Sequence, residues 1–166
     1  MELRLIKPAH KYFKSFRNGV KDSYLSLISP SRYIGEMRSA ARGRTKRGAV
    51  PRTEYWLVNG KQYLGRIQIR YRPSGRHNSI KSHVYYEIRP SMRGKGYGHL
   101  ILKLGLTKAR STGLRRLTIA CDESNIASRN IIERNGGVLL RKARVPGEVG
   151  AMRVYKIDAA DSRVAS

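Results

Sequence analysis

Tyr85-Tyr86-Glu87-Ile88-Arg89-Pro90-Ser91-Met92-Arg93-Gly94-Lys95-Gly96-Tyr97-Gly98-His99-Leu100-Ile101-Leu102-Lys103-Leu104 is the stretch from which the fold can be read. It opens as a strand, breaks at Pro90, crosses glycines at 94, 96 and 98, and continues with Leu100, Ile101 and Leu104 at helical spacing. The first amides of a helix have no carbonyl one turn earlier to bond. The helix dipole adds about half a positive charge at the same end. A strand feeding a glycine loop feeding a helix is therefore an arrangement that holds phosphate. The glycines let the backbone come close to an anion and take dihedrals closed to other residues.

Upstream of this stretch the pattern predicts three strands. Glu54 to Asn59 is the first, and Asn59-Gly60 is a hairpin turn signal. Gln62 to Arg72 is the second, closed by Pro73-Ser74-Gly75. Ser82 to Arg89 is the third, with His83, Tyr85, Glu87 and Arg89 on one face and Val84, Tyr86 and Ile88 on the other. Glu2 to Ile6 reads as a short first strand. After Pro8, the residues Tyr12, Phe13, Phe16 and Val20 mark one face of a helix, and Ser23 to Ile28 reads as a further helical turn. The segment 29–52 carries Arg32, Arg38, Arg42, Arg44, Lys46, Arg47 and Arg52 against Glu36 and is punctuated by glycines. It is expected to be a mobile basic loop with a helix around Glu36 to Arg42. Two readings stand for it: a solvated linker, or an arm that touches an anionic partner.

Downstream, the helix after the glycine loop should end near Gly113. Leu117 to Cys121 is a strand, Asp122-Glu123-Ser124-Asn125 a polar turn, and a helix with Ile126, Ile131 and Ile132 stops at Gly136-Gly137. Val138 to Val145 and Ala151 to Ile157 are the last strands. The order of elements predicts one α/β domain over residues 1–166, with a single mixed sheet flanked by helices.

Charge and cysteine content narrow the function classes. Lys and Arg number 35 against 11 acidic residues, a formal net charge of +24. Such a surface attracts polyanions, so RNA, a ribosome or another acidic macromolecule is a candidate partner. The single Cys121 excludes a disulfide within the chain. His10, His77, His83 and His99 show no metal-ligand spacing, and no metal is expected. No apolar run approaches the ~20 residues a membrane helix needs. A cytoplasmic protein, monomer or homodimer, is expected.

The glycine loop is neither of two common nucleotide motifs. A dinucleotide fingerprint would need a third glycine where His99 stands, and a Walker A loop would need Ser or Thr after Gly94-Lys95, where Gly96 stands. What remains, Arg93-Gly94-Lys95-Gly96-Tyr97-Gly98, resembles the acetyl-coenzyme A pyrophosphate loop of the GNAT superfamily of N-acetyltransferases. Asn125-Ile126-Ala127-Ser128, opening the helix that ends in Glu133-Arg134-Asn135-Gly136-Gly137, is similar to that superfamily's second motif. Val50-Pro51, Thr53, Tyr55-Trp56-Leu57-Val58, Gly65, Arg70, His83 and Arg153-x-Tyr155 resemble one bacterial branch of predicted acetyltransferases.

The resemblance implies a sheet splayed into a V between its fourth and fifth strands, with the pantetheine arm of acetyl-CoA in the gap. It implies backbone bonds to pantetheine from Ile88 and Arg89, a pyrophosphate cradle from Arg93, Gly94, Lys95, Gly96, Tyr97 and Gly98, and further contacts from Asn125 and Ser128. The reaction implied is attack by an amine on the thioester, aided by a base and an acid. Glu87 and His83 are the candidate bases. Many members place a tyrosine acid seven residues after the motif asparagine. Ile132 stands there in this chain, so Tyr155 is a candidate substitute acid, with water as the alternative. The competing reading keeps the fold without the chemistry: a module that binds acetyl-CoA, RNA or a ribosome.

Overall fold

The computed structural model describes residues 2–20, 23–45, 49–74, 80–144 and 150–159. Seven strands form one sheet in the order β1-β2-β3-β4-β5-β7-β6. They are β1 (Leu3–Ile6), β2 (Arg52–Asn59), β3 (Gln62–Ser74), β4 (Ser82–Ile88), β5 (Arg116–Asp122), β6 (Val138–Arg144) and β7 (Ala151–Asp158). All neighbours are antiparallel except β4 and β5. That parallel pair meets at a single position, Val84 opposite Ile119, and so leaves the remainder of each strand unpaired on that side. The expected splay between the fourth and fifth strands is present.

Local chemistry accounts for the elements around the splay. The β2–β3 hairpin turns through Gly60, whose φ is +57°, at the predicted Asn59-Gly60 signal. The loop after β4 forms a single 3-10 turn over Pro90–Met92 and then enters α4 (Tyr97–Ser111). Gly94 and Gly96 have φ of +75° and +78°, in the left-handed region that favours glycine. The helix α5 (Ile126–Arg134) starts at Asn125, whose side chain caps the Ser128 amide at 3.0 Å, and stops before Gly136 at φ +89°.

The sheet buries both faces. On one, α4 and α5 cover Ile67, Ile69, Val84, Leu117, Ile119 and Tyr155. Contact here is close: a methyl added at Gly98 would lie 2.5 Å from Ile131 Cδ1, and one added at Gly105 would collide with the Ile67 side chain. On the other face, α1 (Phe13–Arg17), α2 (Ser23–Leu27) and α3 (Pro30–Ala41) close over an aromatic cluster of Tyr12, Phe13, Phe16, Tyr33, Trp56 and Tyr63. Phe16 stacks on Trp56 at 4.5 Å between ring centroids.

Two expectations change. The segment 29–52 contains a twelve-residue helix, α3, which begins at Pro30, well before the short helix expected around Glu36 to Arg42 within a basic loop. Ser29 caps the Arg32 amide at 3.3 Å, Pro30 occupies the first turn, and Tyr33, Ile34 and Ala40 are buried. The second change is at the first helix, which is interrupted: a 3-10 turn over His10–Tyr12 precedes the short α1. The predicted turns at Gly75 and Pro146-Gly147 lie outside the described residues. No helix among the described residues is long and apolar enough to cross a membrane.

Candidate active site

A cleft of about 400 Å³ opens where β4, the glycine loop and α5 converge. It is lined by Tyr85, Tyr86, Glu87 and Ile88 from β4, by Met92, Arg93, Gly94 and Gly98 from the loop and α4, and by Asn125, Ala127, Ser128 and Ile131 at α5. The sequence placed Ile88, Arg93, Gly94, Gly98, Asn125, Ser128 and Glu87 at one site, and the fold brings these together. Lys95, Gly96 and Tyr97 continue the loop without lining the cleft. Gly96 forms the left-handed N-cap of α4, and Tyr97 packs against the core.

Hydrogen-bond parity refines the β4 assignments. The Arg89 amide donates to the Leu64 carbonyl of β3 at 2.9 Å. Adjacent residues of a strand direct their backbone groups to opposite edges, so Ile88, not Arg89, presents its backbone toward the gap. The Arg93 Nε donates to the Ile88 carbonyl at 3.1 Å, folding the guanidinium over the cleft edge. The Arg89 side chain turns away, donating to the Tyr63 carbonyl at 3.2 Å and the Ser15 hydroxyl at 3.4 Å. Gly65, opposite Ile88, is a steric requirement. A methyl there would collide with the Glu87 carbonyl and lie 2.7 Å from Ile88 Cδ1.

Glu87 is held by two donors. Arg66 Nε lies 2.8 Å from one carboxylate oxygen and the Tyr85 hydroxyl donates to the other at 2.6 Å. Arg66 is itself buried between Glu87 and Glu54, with its guanidinium 3.9 Å from Glu54. Burial opposes its charge, but Glu54, Tyr33 and Glu87 together hold its pKa raised. Glu54 is fully satisfied by Tyr33, by Trp56 Nε1 at 2.8 Å and by Gln68 at 2.7 Å. The aromatic cluster thus anchors a buried carboxylate, which fixes Arg66, which fixes Glu87. Burial and the bond to Glu87 push the Tyr85 phenol up to about 12.

The other two catalytic candidates lie away from the cleft. His83 Nδ1 accepts the Thr118 amide at 2.9 Å, tying β4 to β5 at the closed end of the V. The ring is therefore neutral with its proton on Nε2. Burial, then the charge of Arg70, lowers its pKa. Tyr155 is fully buried, and its hydroxyl donates to Glu133 at 2.8 Å. Neither lines the cleft.

The lowered His83 pKa has a consequence for stability. A histidine whose folded pKa lies below its unfolded value binds fewer protons when folded, so stability falls as pH drops below the unfolded value of about 6.5. The loss is complete below the folded pKa. In His83→Gln, whose side chain does not titrate, the fall in urea midpoint between pH 7.5 and 5 is expected to be shallower than in the wild type. Equal slopes would contradict the assignment.

One cleft residue was missed by the sequence reading. The Tyr86 hydroxyl is buried and, among the described residues, has no hydrogen-bond partner of good geometry. Burial pushes the phenol up to about 12, with Ser128 pulling the other way. A buried unsatisfied hydroxyl costs free energy unless something outside the chain bonds it. Tyr86 shares its strand face with Val84 and Ile88, and its hydroxyl crosses from β4 toward Ser128 on α5. Ile132, at the position where the resemblance implied a tyrosine acid, is fully buried. Cys121, also buried, has its thiol pushed up to about 11 by burial and then by Asp122, which leaves it unreactive. Among the described residues, no group of three His, Cys, Asp or Glu side chains could hold a metal ion.

Comparison with known proteins places this geometry. The family model of the acetyltransferase (GNAT) domain matches residues 3–138. No curated protein matches the chain. Among solved structures, the microcin C7 self-immunity acetyltransferase MccE, in complex with acetyl-CoA and AMP, is 15% identical with a TM-score of 0.69, covering 95% of this chain and 92% of its own. The Salmonella typhimurium acetyl transferase that modifies the N-terminal serine of 50S ribosomal subunit protein L7/L12 is 17% identical with a TM-score of 0.64, covering 94% of each chain. The Vibrio cholerae spermidine/spermine N-acetyltransferase SpeG, solved as mutant forms, is 13% identical with a TM-score of 0.64, covering 95% of each chain.

Proposed function

Because the chain belongs to the GNAT acetyltransferase family, we propose that it moves the acetyl group of acetyl-CoA to a primary amine by direct attack, with both reactants bound at once. The observation that carries this reading is the single cleft in which the glycine cradle, the free edge of β4, Glu87 and Tyr86 meet. Acetyl-CoA supplies the thioester carbon that the amine attacks. The residues suit it: left-handed glycines and a helix N-terminus for the pyrophosphate, Arg93 for added charge, and the Ile88 backbone and Asn125 for the pantetheine amides.

Each remaining residue has a defined task. Glu87, positioned by Arg66 and Tyr85, receives the ammonium proton of the acceptor. The Ile88 amide polarises the carbonyl oxygen. Tyr86, protonated at neutral pH and without a hydrogen bond of good geometry among the described residues, donates to the departing sulfur. His83 keeps β4 and β5 joined at the closed end of the V, and Tyr155 anchors α5 through Glu133. Holding amine and thioester together contributes several kcal/mol of the barrier reduction by proximity alone.

The second reading, a non-catalytic module that binds acetyl-CoA or RNA, draws on Ile132 at the family's tyrosine position and on the net charge of +24. Tyr86→Phe separates the two. It removes a hydroxyl that makes no hydrogen bond of good geometry among the described residues, so the melting temperature should hold. With a productive amine, kcat should fall by ~100-fold or more while the KM for acetyl-CoA stays within about threefold. An unchanged kcat would remove Tyr86 from the mechanism.

A further inference from the structure

The acceptor side of the sheet carries a charge pattern that the transfer chemistry does not need. On the face covered by α1 to α3, Arg66 lies opposite Glu87 and Gln68 opposite Tyr85, while Arg70 pairs across the strands with Arg52. Two like charges directly opposite each other destabilise a β-ladder. Neither has a carboxylate partner among the described residues: the one hydrogen bond of Arg70 is a 3.4 Å contact to the Ser82 carbonyl. The two acids of this face, Glu54 and Glu87, are both committed to Arg66 and its neighbours. Burial and then the charge of Arg52 lower the Arg70 pKa.

Arg52 also lines an open groove of about 550 Å³ along the exposed flank of α3, which Arg70 does not reach. Arg32, Arg44 and Glu36 line it too, and Glu36 is bound by Arg32 at 3.1 Å and by the Tyr24 hydroxyl. The face is therefore polarised. Glu54, Glu87 and Arg66 sum to one negative charge at the thioester end, whereas Arg52 and Arg70 leave two uncompensated positive charges further along. From Arg66 to Arg70 is four residues of strand, about 13 Å.

We propose that the Arg52–Arg70 pair is an anion-binding subsite for the acceptor, selecting amines that carry a phosphate or carboxylate roughly 10 Å from the nitrogen. The ammonium end rests on the transferase reading above, with the nitrogen at Glu87 and the anion at the arginines. Both anions suit guanidinium forks. An α-amino acid is too short to reach both ends, and a polyamine would place a cation against the arginines.

The test is anion binding, followed by thermal shift with acetyl-CoA saturating so that the pyrophosphate cradle is filled. Inorganic phosphate and succinate are titrated into the wild type, into Arg52→Gln/Arg70→Gln, and into a control with the exposed Arg115→Gln/Arg116→Gln. The Arg52/Arg70 variant should weaken the apparent Kd of at least one anion by ~10-fold or more, with the control unchanged. Relief of the like-charge pair should leave its unliganded melting temperature at or above the wild type, and Arg52→Gln alone serves if the double variant does not fold. A response to phosphate marks a phosphorylated acceptor, and a response to succinate a carboxylated one. Equal binding by all three proteins, equal loss in both double variants, or no binding by the wild type would each overturn the subsite. A missing acetyl-CoA shift would instead overturn the transferase reading, and the anion titrations, repeated without it, would still judge the arginines.

Discussion

Gly96→Val is expected to raise the Kd for acetyl-CoA by ~100-fold or more while leaving the sheet folded. Gly96 sits at φ +78° as the N-cap of α4, and a β-branched residue there is a steric outlier. No atom lies within 4 Å of the position a Cβ would take, so the substitution acts on the backbone and not by collision. The loop must leave the left-handed region, and the amides of the first helical turn then no longer converge. Each lost bond to a charged oxygen costs about 1.5–3 kcal/mol, so two suffice for the expected change. Gly113→Val is the control. Gly113 has φ +87° with equally open surroundings, but it closes the far end of α4. It should lose comparable stability and keep its affinity. Calorimetric titration of both variants reads the difference.

This loop was legible from sequence because its signals are local: a proline, spaced glycines and an apolar helical period within twenty residues. The same holds for the Asn125 cap and the Gly136 stop. The first half of the helix α3 was hidden by its own composition. Its buried residues Tyr33, Ile34 and Ala40, with Met37, keep helical spacing, but Gly35 and the arginines around them lower the contrast. The Ser29-Pro30 start signal was present and carries the helix.

The parts that were not legible depend on register. Nothing local places Arg66 between Glu54 and Glu87; the pairing of β2, β3 and β4 does. Which of Ile88 and Arg89 presents its backbone to the gap is likewise a parity set by the Arg89 amide and Leu64. Tyr86 alternated onto the face it shares with Val84 and Ile88, and nothing local singled it out. Only the open side of β4 brings its hydroxyl to the cleft. His83 was chosen from its strand face and the family resemblance and Tyr155 as a substitute for the missing tyrosine, and three-dimensional partners gave each a bond of its own.

Glu87→Gln is the second large expectation. The amide keeps the shape of the side chain and an oxygen for Arg66, and Glu54 still pairs with Arg66, so the fold should persist. Glutamine cannot take a proton. With a productive amine, kcat should fall by ~100- to 10,000-fold, and affinity for acetyl-CoA should hold. Raising the pH supplies free amine and should recover part of the loss, because the base is needed only while the acceptor is an ammonium ion.

The most direct measurement is release of free thiol when the protein is mixed with acetyl-CoA and a panel of primary amines, with Glu87→Gln in parallel. The panel should span neutral, cationic and phosphate- or carboxylate-bearing amines. Direct transfer predicts thiol release that depends on the amine, appears in equal amount with acetylated product, and collapses in Glu87→Gln. Acetyl-CoA that binds the wild type yet yields no amine-dependent thiol with any member of the panel would contradict it and leave the non-catalytic module standing.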